Sequence, residues 1–174
     1  MIDMNREIIY RGKRCSDGEW VYGFYVESKH SWQGHKPHKS WIVPNAISNG
    51  GFFNVLGRYA VKDDTVGQFT GMTDKNGVKI FEGDIVKRIS VNSDSSLYYD
   101  CGVVIFDNGN ASFKLSMYKC VFNGRDIGKF EDDDDITCNF VTNVVYDGQT
   151  PQEDEYCYEV ISNIHDNPEL LAAK

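Results

Sequence analysis

The chain has 174 residues, with 41% apolar and 13% aromatic side chains, enough to build a core and to exclude wholesale disorder. Eighteen basic against twenty-six acidic residues leave a net charge of −8, a field that opposes non-specific binding to a polyphosphate. Residues 1–60 carry eight Lys/Arg against five Asp/Glu, a balance of +3, so the acidity belongs to the rest of the chain.

In chain order, residues 7–11 predict a first strand and 12–18 a turn, with Ser16, Asp17 and Gly18 at its end. Residues 19–27 predict the clearest strand. Trp20, Tyr22, Phe24 and Val26 alternate with Val21, Gly23 and Tyr25, and with both faces apolar the strand is expected to be central or covered. Residues 28–40 have no periodicity and read as an exposed loop. Residues 40–43 predict a brief strand stopped by Pro44, and 49–51 a turn; 52–56 and 59–61 are further extended segments. Residues 66–71 predict an extended run and 74–77 a turn. Strands at 78–81 and 84–90 follow, separated by Glu82-Gly83. Residues 92–96 are polar and loop-like. The tetrad 107–110 (Asp-Asn-Gly-Asn) predicts a hairpin between strands at 102–106 and 111–118.

The acid run 131–135 repels itself and reads as a solvated loop, before strands at 138–146 and 156–165. A single short helix is expected at the end: Asn167 caps it, Pro168 fits its first position and Glu169 suits the positive end of its dipole. The charge shift marks a seam near 60–65 within one domain of 1–174, dividing an aromatic, basic β part (1–62) from an acidic β part (63–174). No run approaches a membrane span, and 1–10 lacks an apolar signal core, so a cytoplasmic protein without a membrane partner is expected. The five cysteines never form a Cys-x-x-Cys pair, which leaves zinc knuckles and redox motifs unsupported and predicts mostly buried free thiols.

Residues 65–88 read TVGQFTGMTDKNGVKIFEGDIVKR. This stretch resembles the signature of the YopX-like family of phage and prophage proteins, in which Gly-x-x-Thr-Gly precedes Asp-x-x-Gly and then Ile-Phe/Tyr-Glu-Gly-Asp-Ile-Val. Residues 158–170 (YEVISNIHDNPEL) are similar to that family's closing segment, with Ser162 where the family more usually has Gly. Residues 11–13 with 20–23 resemble the opening of some members. The resemblance implies a mostly β, cytoplasmic, phage-derived protein, often found as an assembly. It carries over no catalytic residue and no cofactor, because the family has no established activity.

The physics of the signature agrees. Gly71, Gly77 and Gly83 lie six apart, where short strands must turn, and Asp74 and Asp84 can accept backbone N–H groups there. Gly67, Gly71, Asp74, Gly77, Glu82, Gly83 and Asp84 are therefore read as structural. For Glu82 and Asp84, turn chemistry is favoured over acid/base work because no His, Cys or Lys partner is fixed near them. The glycine-punctuated strands predict a mainly β fold of small SH3-like or barrel-like units.

Three groupings are weighed as sites. His30, His35 and His38 could share a metal ion, but their spacing fits no helix face, so a solvated loop is preferred and no metal is assigned. Lys13, Arg14, Trp32, Lys36, Lys39 and Trp41, near Arg11 and Trp20, are the nucleic-acid candidates, opposed by the net charge and by the strand rhythm that places Trp20 in the core. The 131–135 acids could mimic DNA and occupy a host enzyme. The expected function is a non-enzymatic phage accessory protein that binds or assembles. A homo-oligomer is its first expected partner, a host or phage protein its second; single-stranded nucleic acid and the acidic decoy are the alternatives.

Overall fold

Alternating short apolar runs separated by Gly, Asn and Asp produce a chain that is mainly β. The computed structural model describes residues 7–28, 40–44, 58–91, 97–122, 125–128, 137–139 and 156–172. Its strands are β1 (Tyr10–Lys13), β2 (Trp20–Glu27), β3 (Ser40–Val43), β4 (Gly67–Thr73), β5 (Lys79–Phe81), β6 (Asp84–Val91), β7 (Leu97–Asp107), β8 (Ser112–Phe122), β9 (Arg125–Gly128), β10 (Thr137–Asn139) and β11 (Tyr156–Asn163). The expected terminal helix is present as α1 (Glu169–Ala172). The chain divides into two compact units, Met1–Gly71 and Met72–Lys174, with the division inside β4.

In the first unit, β2 is paired on both sides, antiparallel to β1 and to β3. The β1–β2 turn is held by Asp17, whose Oδ1 accepts the Glu19 N–H at 3.1 Å and the Arg14 Nε–H at 2.9 Å. The turn is shorter than the sequence suggested, because Gly12 and Lys13 belong to β1. They pair with Val21 and Trp20, and Lys13 also has remote partners: its N–H donates to Thr65 Oγ1 at 2.8 Å, and its carbonyl accepts the Lys62 N–H at 2.9 Å. The same segment lines the outer edge of β3, where Ile42 N–H donates to the Tyr59 carbonyl and Val61 N–H to the Ser40 carbonyl, both at 3.1 Å. Residues 59–62 thus hydrogen-bond both to β3 and to the end of β1, closing the β1–β2–β3 ladder and removing an open edge. Val61 and Ile42 are buried in this unit, and Gly12 is required beside Val61, whose side-chain carbons lie 3.1–3.2 Å from where a Cβ would sit.

In the second unit, β6 lies between β7 and β11, and β8 extends the sheet towards β10 and β9. Val86 of β6 stands opposite Gly102 on one side and Val160 on the other. The core on this face is Ile80, Val86, Val104, Leu115, Met117 and Tyr158, with Met72, Phe113 and Val160 packed against it. The 107–110 hairpin forms as predicted. Its flanking strands are longer than predicted, β7 beginning at Leu97, and the ladder carries a bulge between Cys101 and Gly102.

The two stretches that carry the family resemblance are neighbours in this sheet. β6 pairs with β11 from Asp84↔Asn163 to Ser90↔Tyr156, and the Gly83 carbonyl accepts the Ile164 N–H at 3.0 Å. Among the described residues no helix is long and apolar enough to cross a membrane.

Candidate functional site

Residues directly opposite in an antiparallel pair project to the same side. The β1–β2 register, Arg11↔Tyr22 and Lys13↔Trp20, therefore places two cations and two aromatics on one face. The β2–β3 register adds Phe24, opposite Val43, and Trp41, opposite Val26. Arg11 stacks its guanidinium 4.6 Å from the Trp20 ring centroid, and Lys13 sets its ammonium 5.5 Å from the same centroid. A cation over an indole is favourable by about 0.5–2 kcal/mol depending on desolvation. Arg11 is only 6% exposed, so it holds Trp20 from below, whereas Lys13 and Trp20 are half-buried. Next to them Tyr22 is 50% and Phe24 54% exposed.

β2 is central in its sheet, one of the two expected outcomes, but it is not covered: one face carries Tyr22 and Phe24 into solvent. This corrects the placing of Trp20 in the core. The acids of β2 and its turn do not share this face. Glu27 alternates to the other side with Tyr25, and Asp17 is taken up by Arg14.

Of the nucleic-acid candidates named from sequence, Lys13 and Trp41 lie on this face. Arg14 does not join them: its Nη2 is 2.5 Å from Asp17 Oδ2. That pairing raises the Arg14 pKa and lowers that of Asp17. Trp32, Lys36 and Lys39 lie outside the described residues, as do His30, His35, His38, the 131–135 acids and the segments 49–51, 52–56 and 92–96. Tyr22 and Phe24 were missed as surface residues because apolar alternation on both faces imitates a buried strand. The available signal was Arg11 and Lys13, which reach Tyr22 and Trp20 once β1 runs on through Lys13.

The signature residues form a second constellation, and its chemistry is that of turns. Asp74, 1% exposed, accepts N–H groups from Asn76 at 2.8 Å and Val78 at 2.9 Å through Oδ1, and from Val160 at 3.1 Å through Oδ2. Asp84, equally buried, accepts the Phe81 N–H through Oδ2 at 2.7 Å. Gly71, Gly77 and Gly83 all have positive φ, at 92°, 78° and 81°. Gly67 is buried in β4 opposite Arg11. His165 Nε2 lies 3.6 Å from where a Cβ on Gly83 would sit, brought there by the turn after β11. Cys101 and Cys157 are buried free thiols, as expected for most, whereas Cys15 is exposed. Burial raises the Cys157 pKa.

A family model described as YopX protein matches residues 9–172. No curated protein matches the chain.

Proposed function

The chain belongs to the YopX protein family, and from that premise we propose that it is a non-enzymatic accessory protein of phage or prophage origin whose work is binding. The binding surface is the face of the first unit built from Arg11, Lys13, Trp20, Tyr22, Phe24 and Trp41. One observation carries this reading: Tyr22 and Phe24 keep half their surface in water beside a ring already occupied by two cations. Exposed aromatics on a rigid strand are what an interface offers, since they contribute large contact area with few rotamers to immobilise.

The alternative motive for association, open strand edges, is weaker. The β3 edge is occupied by residues 59–61, and on β11 the Val160 N–H and Tyr158 carbonyl are taken by Asp74 and Lys75.

The test compares the full chain with a Tyr22→Ser/Phe24→Ser double variant whose fold is first checked by circular dichroism. Sedimentation velocity from micromolar to near-millimolar protein and recovery of bound macromolecules from host lysate are the readouts. The variant is expected to lose the self-association or the recovered macromolecule of the parent. Equal behaviour of the two proteins in both assays overturns the proposal.

A further inference from the structure

We infer that the occupant of this face is single-stranded nucleic acid, two successive bases stacking on Tyr22 and Phe24 while Lys13 meets a phosphate. The inference rests on the binding reading above and names its ligand. Three observations support it.

The first is spacing. Tyr22 and Phe24 are two residues apart on one strand, so their rings are offset by about 7 Å along it. That is the reach of one extended nucleotide. Neighbouring bases pulled out of their own stack can each find a ring, whereas a duplex keeps its bases stacked on one another and offers only edges and phosphates.

The second is charge. Arg11 and Lys13 are the charged residues at the strand positions of this face of β1–β3. The strand positions of this face thus contribute two cations within a chain of net charge −8. A general polyanion binder would show long-range attraction, but here the bulk charge opposes it, so attachment must rest on short-range stacking supported by very few phosphate contacts.

The third is rigidity. β2 is hydrogen-bonded on both sides, and Arg11 beneath Trp20 fixes the flank of the platform, so little ordering is required when a base arrives.

The experiment is fluorescence anisotropy of a labelled oligothymidylate of about 15 nucleotides, a length that covers a single small binding fold. Its duplex with oligodeoxyadenylate is the comparison, and the full chain is titrated at low and moderate salt. The single strand should bind and the duplex should bind at least tenfold more weakly. Tyr22→Leu and Phe24→Leu retain apolar area but remove the ring, and each should weaken binding by about five- to a hundredfold. The salt slope should be shallow, about −0.7 per phosphate neutralised, and Lys13→Gln should reduce it by about that amount. No anisotropy change at tens of micromolar protein in low salt overturns the inference. So do duplex binding as tight as single-strand binding, and leucine variants that bind like the parent. If the oligonucleotide fails to bind while the Tyr22→Ser/Phe24→Ser variant still loses self-association or a nuclease-resistant lysate partner, the nucleic-acid assignment falls and the binding reading stands.

Discussion

Asp74 accepts the backbone N–H of Val160, a residue 86 positions later, at 3.1 Å. One carboxylate thereby does two jobs. It closes the turn into β5 through Asn76 and Val78, and it occupies a donor on the outer edge of β11. The adjacent Lys75 continues the cover, its N–H donating to the Tyr158 carbonyl at 2.9 Å and its Nζ lying 2.9 Å from Glu159 Oε2. Asp74→Ala removes all three acceptor bonds from a buried position. A loss of about 2–4 kcal/mol is expected, since bonds to an ionised acceptor are the stronger class but water can reach the exposed turn amides. Urea unfolding of the full chain measures it, and a loss below 1 kcal/mol would contradict the role given to Asp74 here.

Gly23 makes a sharper case in the first unit. A Cβ at this position would lie 2.0 Å from the Val43 carbonyl oxygen and 2.9 Å from Pro44 Cα, so β2 and β3 could not keep their register. Gly23→Ala is expected to destabilise by about 3 kcal/mol or more, because the obstructing atoms are backbone and cannot rotate away. Gly77→Ala is the contrast. Its φ is +78° but nothing lies within 4 Å, leaving only the left-handed conformational penalty of about 1 kcal/mol. Thermal unfolding of the two variants should separate them clearly.

Much of this fold was legible locally. Residues 19–27, 40–43, 78–81 and 84–90 are short apolar-rich runs bounded by turn residues and became β2, β3, β5 and β6 with small shifts at their ends. What local pattern could not supply were partners. Gly12-Lys13 reads as turn material but continues the ladder opposite Val21 and Trp20, and Lys13 is held further by Lys62 and Thr65. Residues 125–128 (Arg-Asp-Ile-Gly) show no alternation and are a strand only because β8 pairs with them. The charge shift near 60–65 precedes the division at Gly71, since β4 pairs with β1 through Gly67 and Gln68 and is held in the first unit by those bonds. The candidate face was half legible for the same reason. Its aromatics are evident in the alternation of β2, but its cations enter by cross-strand register, and exposure is a tertiary property.

The Arg88–Asp100 pair sits on the core face of the second sheet, where Arg88 stands between Asp100 and Tyr158 in register. Arg88 donates from Nε at 2.8 Å and from Nη2 to the same oxygen, Asp100 Oδ2, and Asp100 is 1% exposed. Desolvating two charges offsets most of their attraction, so the pair adds little net stability while each partner depends on the other. Arg88→Met should therefore lose about 3–5 kcal/mol by stranding a buried carboxylate, and adding Asp100→Leu should restore most of that loss. Additive losses in the double variant would show that packing, not charge, is the reason for the pair.

The 107–110 hairpin gives the pH prediction. Asp107 pairs with Lys114, accepts from Asn110 Nδ2 at 2.7 Å and accepts the Gly109 N–H at 2.8 Å. All three contacts favour the ionised form, the Lys114 bond most, and they hold the Asp107 carboxyl well below the ordinary aspartate range. A carboxyl depressed in the folded state contributes stability that is fully present above its unfolded pKa, near about 4, and that disappears only as pH falls through the lower folded value. Acidification from neutral to about pH 4 should therefore leave this hairpin's contribution intact, with the loss confined to stronger acid. Carbon-detected NMR titration of the Asp107 carboxyl should show a midpoint well below the ordinary value. Lys114→Gln should move it upward, because the largest of the three contributions is then gone while the Asn110 and Gly109 bonds persist. A parent midpoint at the ordinary aspartate value would mean that solvent screens the pair and that the turn is held by its backbone alone.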